Sequence, residues 1–415
     1  MKLIPDRLKR VSRRDRPFKS ARDRVETPPG DRTLLLIVLI LGLLGLVMVY
    51  SASGILAGKT HHDSTYFLKK QLLWMGFGVC LFIIASKMQV NWLRDGIFPM
   101  ICFIFALLVG VLLFGTEING SRRWIRLGPM TFQPSELAKL FTVIYLSHYI
   151  AKKGERLSDF SEGLAPALVM IGLEMALILV EPDLGSTVII VLIAFLLLFL
   201  GGVSLRHLLP VGLAMVPLFL YWILKTPYRL ERVMTYLNPW ADPGSSGFQM
   251  IQSYLALGSG GTVGAGLGEG KQKLFFLPEP HTDFIFAVIG EELGLIGTFL
   301  VLFLFVWLLW KGTRVALATE DPFGRMLAVG TTLLLTLPAL MNMGVVTGLL
   351  PTKGLPLPFV SYGGSSLLVN WAALGLLFNV SRRADFRIAR GTGRPLGRLV
   401  QIDRRPAVAQ NDRLF

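Results

Sequence analysis

Residues 33–53 read TLLLIVLILGLLGLVMVYSAS, and no charged side chain interrupts them. A helix of about 20 apolar residues crosses a hydrocarbon core of about 30 Å. Inside that core every backbone N–H and C=O must be satisfied within the segment, so a run like this reads as a membrane helix. The small residues of VYSAS (49–53) resemble a cleavage site. The polar stretch ahead of the run, about 30 residues, and the length of the run itself exceed the dimensions of a secretory signal. The first run is therefore expected to remain as an anchor.

Outward from it, comparable runs lie at about 71–88, 97–115, 134–151, 164–181, 185–203, 206–224, 284–310, 325–350 and 361–381. The composition agrees: 53% of the chain is hydrophobic and 17% is charged, against roughly 25% charged in an ordinary soluble domain. The expected fold class is an all-α polytopic membrane protein of about ten transmembrane helices. A long periplasmic or extracellular loop (225–283) separates the seventh from the eighth. Residues 1–32 form a basic arm (RLKRVSRRDRPFK) too polar to bury a core. Residues 33–383 form the membrane domain, and 384–415 a basic tail.

The formal net charge is +15. Lys and Arg gather at the two chain ends and in short loops, which fits orientation and anionic headgroups rather than nucleic acid. With ten spans both ends share one face, expected to be cytoplasmic. KKGER (152–156) and Lys311–Arg314 fall on that same face. SRRWIR (121–126) breaks the charge rule, which points either to an anionic ligand or to a stiff loop the rule does not govern. Cys80 and Cys102 lack metal-ligand spacing and read as small buried hydrophobes.

Ionisable groups at membrane depth are costly and suggest function. Glu136 and Lys139 share a helix face at i,i+3, either as a local ion pair or as part of a cationic pocket beside SRRWIR. Pro134 suits the first turn of that helix. Glu174, in mid-span, reads as a neutral, hydrogen-bonded interior acid. The stretch GSGGTVGAGLGEGKQK (258–273) fails the phosphate-loop pattern, because Ala265 replaces its first Gly and Gln272 follows the Lys. A mobile glycine-rich surface loop is the favoured reading. Backbone amides with Lys271 and Lys273 offer a diphosphate site as the alternative.

Asp283 sits in HTDFIF (281–286), at the threshold of the eighth span. It could cap that helix. It could instead act as a general base whose pKa is raised by desolvation. A carboxylate fully used as a cap is a poor base, so the roles compete. Glu291 and Glu292 lie two to three turns further on, for a cation or for satisfaction inside the bundle. In NMGVVTGLLPTKGLPLPFVSYGGSS (342–366), Pro351, Pro356 and Pro358 preclude a regular helix. Irregular backbone at membrane depth is tolerated where it is buried in protein or lines a watery cavity.

This last stretch resembles the signature of the SEDS family (shape, elongation, division and sporulation). Asn342, Gly348, Leu349, Pro351, Thr352, Gly354, Leu355 and Ser361 through Ser366 match it. Three further blocks follow the family order: RRWIRLGPMTFQPSELAKL (122–140), EPDLGST (181–187) and KLFFLPEPHTDFIFAVIGEELG (273–294). The resemblance covers about residues 33–383, and the long basic arm resembles the cell-division branch. It implies a peptidoglycan glycosyltransferase that polymerises lipid II by inverting transfer, with undecaprenyl diphosphate leaving. It implies Asp283 as the catalytic residue, and Arg122, Arg123, Trp124, Glu136 and Lys139 as cavity residues. Lys271, Lys353 and Ser361 join them as substrate-binding candidates. A divalent cation, Mg or Mn, would share the charge stabilisation, and Asp283 is then either base or metal ligand. The implied partners are lipid II, a class B penicillin-binding protein (a transpeptidase of the FtsI type), other divisome membrane proteins and the lipid bilayer. The implied place is the bacterial cytoplasmic membrane at the septum. Two rival functions share the fold: a lipid II flippase and a non-catalytic divisome scaffold. No S-x-x-K inside a soluble catalytic domain supports a transpeptidase role for the chain itself.

Overall fold

A computed structural model of the chain describes residues 30–118, 121–128, 130–274 and 277–389. Most of the basic arm (1–29) and of the tail (390–415) lie outside the described residues. The described helices are α1 (Arg32–His61), α2 (Tyr66–Lys87), α3 (Val90–Asp95), α4 (Ile97–Phe114), α5 (Pro134–Lys153), α6 (Ala165–Val180), α7 (Leu184–Leu200), α8 (Leu205–Leu224), α9 (Pro227–Leu237), α10 (Phe248–Gly260), α11 (Ile285–Ala318), α12 (Pro322–Val346) and α13 (Gly364–Ala389). Each of the ten apolar runs falls on a helix. Among the described residues, seven helices are long and apolar enough to cross a membrane: α1, α2, α4, α6 with the turn before it, α11, α12 and α13. Helices α7 and α8 are apolar but shorter in their qualifying stretch.

Local signals fix the helix ends. Asp31 accepts from the Thr33 amide and Asp183 from the Ser186 amide, at 2.9 and 3.1 Å. Asp321 accepts from the Gly324 amide at 2.9 Å. These side chains satisfy donors that a helix N-terminus leaves open. Pro134 stands in the first turn of α5, as expected. Helices α12 and α13 are the most enclosed spans, with 72% of the apolar window of each buried against 17% for α2 and α4. Cys80 on α2 and Cys102 on α4 are accordingly exposed, not buried. The apolar pattern of a lipid-facing position and that of a core position are alike, because lipid tails are as apolar as a core.

Two segments expected as loops carry regular structure. Strands β1 (Thr116–Ile118), β2 (Ser121–Leu127) and β3 (Met130–Phe132) form an antiparallel sheet in that order. SRRWIR is thus a stiff central strand. The long loop after α8 contains α9 and α10.

The glycine-rich stretch is docked into a broken helix and is no mobile surface loop. Helix α11 kinks at Gly294 (φ 65°, ψ −160°). In a regular helix the amides of Leu295 and Ile296 would bond the carbonyls of Glu291 and Glu292. Here they donate instead to the carbonyls of Gly261 and Thr262, at 3.0 and 3.2 Å. The stranded carbonyls of Glu291 and Glu292 accept from the amides of Ala265 and Gly266, at 2.9 and 3.0 Å. The loop therefore replaces the hydrogen bonds that the kink removes, as burial away from water demands. Glycine is required for the approach: Gly264 has φ +86°, and a Cβ there would collide with the Glu292 carbonyl. The diphosphate alternative for these amides fails for the same reason. Glu291 takes the amides of Lys271 (2.6 Å) and Gln272 (3.1 Å), and Glu292 takes Gly268 (3.1 Å). Lys273 and Ser51 complete the Glu292 site, at 2.5 and 2.7 Å.

Candidate active site

The first half of α11 points its N-terminal end at the irregular segment 347–363. Three contacts strap the two together. Ser361 Oγ donates to the Thr282 carbonyl (2.5 Å) and accepts from the Leu357 amide (2.8 Å). The Tyr362 amide donates to the His281 carbonyl at 2.9 Å. Asn342 Nδ2, from the end of α12, donates to the carbonyls of both Asp283 and Leu355, at 2.7 Å each. His281 packs between Phe67 and Tyr362, with ring centroids 4.4 and 5.6 Å away. Burial holds its imidazole neutral, with the pKa lowered to about 4. Backbone and aromatic contacts thus hold residues 281–283 in place.

Asp283 itself is left over. The N-cap position of α11 is Phe284, with no side-chain cap bond, so the capping role does not apply. No hydrogen bond or ion pair to the Asp283 carboxylate is found among the described residues. Its pKa is raised to about 7 by burial first and by the Glu279 carboxylate second, while the Arg232 guanidinium pulls the other way. Gly354 allows the carboxylate its position: a Cβ there would lie 2.9 Å from Oδ2. Lys353 is half-buried, and burial lowers its pKa. Arg232, on α9, donates to the Thr352 carbonyl at 3.3 Å. Thr352 and Arg232 also line a cavity of about 160 Å³ with Glu231, Thr235, Ser246 and Gln249.

A second cluster builds on α5, α7 and β2. Glu136 and Lys139 form a buried ion pair at 2.7 Å, the local pairing that their spacing allowed. Arg123 donates to the carbonyls of Glu181 (3.0 Å) and Pro182 (2.8 Å), bracing the turn between α6 and α7. Asp183 holds the start of α5 through Ser135 and Gln133, at 2.8 and 2.9 Å. The Glu181 carboxyl is fully buried and, among the described residues, has no hydrogen-bond partner. Burial, then the neighbouring Asp183, raises its pKa to about 8, against the opposing pull of Arg123. Trp124 is half-buried on the same strand. Arg122 is exposed and lies 3.8 Å from Glu117. Glu174 accepts from Thr142 Oγ1 at 2.9 Å, deep inside the bundle.

The expected site residues therefore divide. Asp283, Lys353 and Ser361 come together, with Ser361 as a brace. Arg123, Trp124, Glu136 and Lys139 gather in the second cluster, where Arg123 and Lys139 already have partners. Lys271 is set apart, its amide on Glu291 and its side chain exposed. Two residues escaped the sequence reading: Arg232 beside Asp283, and Arg229, whose pKa is lowered by burial first and by the charge of Arg123 second. Their signal was the amphipathic spacing of α9 inside an assumed loop. Among the described residues no group of three or more His, Cys, Asp or Glu side chains could hold a metal ion. Asp283 fits a cation only as one protein ligand to an ion already carried by a diphosphate.

Comparison with known proteins adds three findings. A family model described as cell cycle protein, covering FtsW, RodA and SpoVE, matches residues 31–385. A probable peptidoglycan glycosyltransferase FtsW of Geobacter metallireducens is 47% identical over 355 residues, covering 85% of this chain and 95% of that protein. The stage V sporulation protein E of Bacillus subtilis is 43% identical, covering 86% and 98%. Among solved structures, a chain of a peptidoglycan synthase complex that coordinates polymerization and crosslinking superposes with a TM-score of 0.71 at 32% identity, covering 86% of this chain and 98% of that one. The rod shape determining protein RodA of Thermus thermophilus superposes with a TM-score of 0.64 at 30% identity, covering 85% and 97%.

Proposed function

The chain belongs to the FtsW, RodA and SpoVE family of SEDS proteins, and from that premise we propose how its site works. It is a multi-pass membrane protein and a peptidoglycan glycosyltransferase that polymerises lipid II. Asp283 is the general base. Its carboxylate takes the proton of the acceptor sugar's C4 hydroxyl as that oxygen attacks the anomeric carbon of the donor chain. The new C–O bond forms as the bond to undecaprenyl diphosphate breaks, and the diphosphate leaves as an anion. A single displacement inverts the anomeric centre, from α donor to β product. Lys353 and Arg232 stand nearest to meet the charge that develops on the diphosphate. Arg122, Arg123, Trp124, Glu136 and Lys139 form the second wall of the substrate groove.

The observation that carries this reading is the Asp283 carboxylate itself: half-buried at the mouth of α11 and, among the described residues, without a hydrogen bond or ion pair, its pKa raised to about 7. A base works best when its pKa lies near the operating pH. Gathering of Asp283, Arg232, Lys353 and Arg123 at one end of the bundle favours transfer over translocation. We further propose ten spans with both termini cytoplasmic, a basic arm (1–32) and tail (384–415) flanking the membrane domain, and action at the division septum. A class B penicillin-binding protein is the proposed partner, supported by the similar chain that works inside a peptidoglycan synthase complex. The test uses full-length protein with lipid II, with and without that partner, and reads glycan polymer on a gel. Polymer is expected. Its absence in both samples, together with lipid II crossing a vesicle bilayer, would overturn the reading in favour of a flippase.

A further inference from the structure

We propose that α9 is an interfacial helix: it seats its outward face in the headgroup layer of the bilayer at the Asp283 end and from there holds Arg232 against the catalytic segment. The location of α9 stands without the reading of Asp283; the catalytic consequence rests on it.

The face is written in the sequence. Leu230, Met234 and Leu237 fall at i, i+4 and i+7, so they share one stripe of the helix. All three are exposed, Met234 by 60% and Leu237 by 69%. Trp240 (62%) and Leu349 (73%) extend the same apolar surface. The opposite face carries the polar residues and turns toward the protein. Thr235 is buried, Arg232 donates to the Thr352 carbonyl, and Tyr236 donates its hydroxyl to the Leu349 carbonyl at 3.1 Å. A surface helix of a soluble domain shows the reverse arrangement.

Chain geometry selects lipid as the occupant. Only Lys225 and Thr226 separate the end of α8 from the start of α9, and two residues reach at most about 7 Å. The start of α9 therefore cannot leave the membrane boundary. The exposed side chains of α8, among them Leu213, Leu220 and Leu224, run continuously toward it. Lys225 at the join and Trp240 beyond the far end are residue types that settle at headgroup level. A helix with an apolar stripe over a polar face is the kind that lies in the interface plane. Its inner residues Arg232 and Thr235, with Glu231 exposed at the flank, line the cavity that Thr352 closes. The depth of α9 in the headgroup layer thus sets where Arg232 stands relative to residues 352–354 and Asp283.

The test keeps the full chain. In a Cys80→Ala, Cys102→Ala background, single cysteines at Met234 or Glu231 carry a nitroxide. The protein is placed in nanodiscs of phosphatidylethanolamine and phosphatidylglycerol. Collision rates with oxygen and with a water-soluble nickel complex then report depth. A label at 234 favouring oxygen, with a label at 231 favouring nickel, is expected. Equal nickel access at both positions overturns the proposal. Shielding of position 234 that requires the class B partner also overturns it, because a protein then covers the face. A second arm compares Met234→Glu with Met234→Leu. Glu is expected to lower polymerisation by about 10–100-fold with unchanged thermal unfolding, and Leu to retain it. If Asp283→Asn proves active while the depth pattern holds, the general-base reading fails and the interfacial helix stands. If the depth pattern fails while Asp283→Asn is inactive, the reverse follows.

Discussion

Carboxylates flank the first half of helix α11 at both ends, and the two ends are treated in opposite ways. Glu291 and Glu292 are saturated by loop amides, Ser51 and Lys273. The carboxylate of Asp283, just before the helix starts, receives no hydrogen bond among the described residues and feels opposing fields from Glu279 and Arg232. The difference teaches how a buried carboxylate is assigned. A saturated one fixes backbone in place and pays its desolvation through many charge-assisted bonds. One left spare in a half-buried place, with its pKa raised to about 7, suits proton transfer and contributes little to stability.

The contrast can be broken from either side. Asp283→Asn keeps size and removes the proposed base. Polymerisation is expected to fall by about 10²–10⁴-fold with no loss in thermal unfolding temperature; a stability loss equal to that of a Glu292 variant would erase the distinction. Glu292→Gln leaves the Lys273 ammonium buried without its partner, since their side chains are 0% and 3% exposed. Breaking such a pair costs about 3–5 kcal/mol, read by denaturant unfolding in detergent, and activity is expected to fall only as folded protein is lost. Gly354→Ala sharpens the contrast further. The added methyl meets Asp283 Oδ2, so turnover is expected to drop about 10–100-fold through misplacement of the carboxylate, while exposed Gly354 leaves stability nearly unchanged. Arg122→Gln is the smallest change. Its pairing with Glu117 is long and both side chains are more than half exposed, so stability is expected to move by no more than about 0.5 kcal/mol. Any loss of polymerisation in that variant then reports contact with substrate.

Much of this architecture was legible before any coordinates. Each of the ten apolar runs became a helix because spacing and hydropathy are local signals. Asp283, Glu136 and Lys139 stood out as charges at membrane depth. What stayed hidden depends on contacts remote in sequence. Ser51 and Glu292 are 241 positions apart, and Gln133 meets Ser365 across 232; no window of residues shows such a pairing. The glycine stretch looked mobile because its partners, the stranded carbonyls of α11, exist only once Gly294 breaks that helix. The exposure of Cys80 and Cys102 was concealed by a different cause: hydropathy does not separate a side chain facing lipid from one facing protein. Helix α9 was overlooked because its exposed stripe is apolar and its inner face polar, the inverse of the pattern that marks a soluble surface helix.

The most direct measurement is the rate of lipid II polymerisation from pH 5 to pH 9 for wild type and Asp283→Asn side by side, with the proposed partner transpeptidase present. A base with a raised pKa is protonated and idle below it and free above it. The wild-type rate is therefore expected to fall about tenfold per pH unit below pH 7 and to level off above, while the residual rate of the variant shows no limb there. A wild-type rate flat from pH 5 to 8, or the same limb in both proteins, would contradict the assignment of Asp283 as the base.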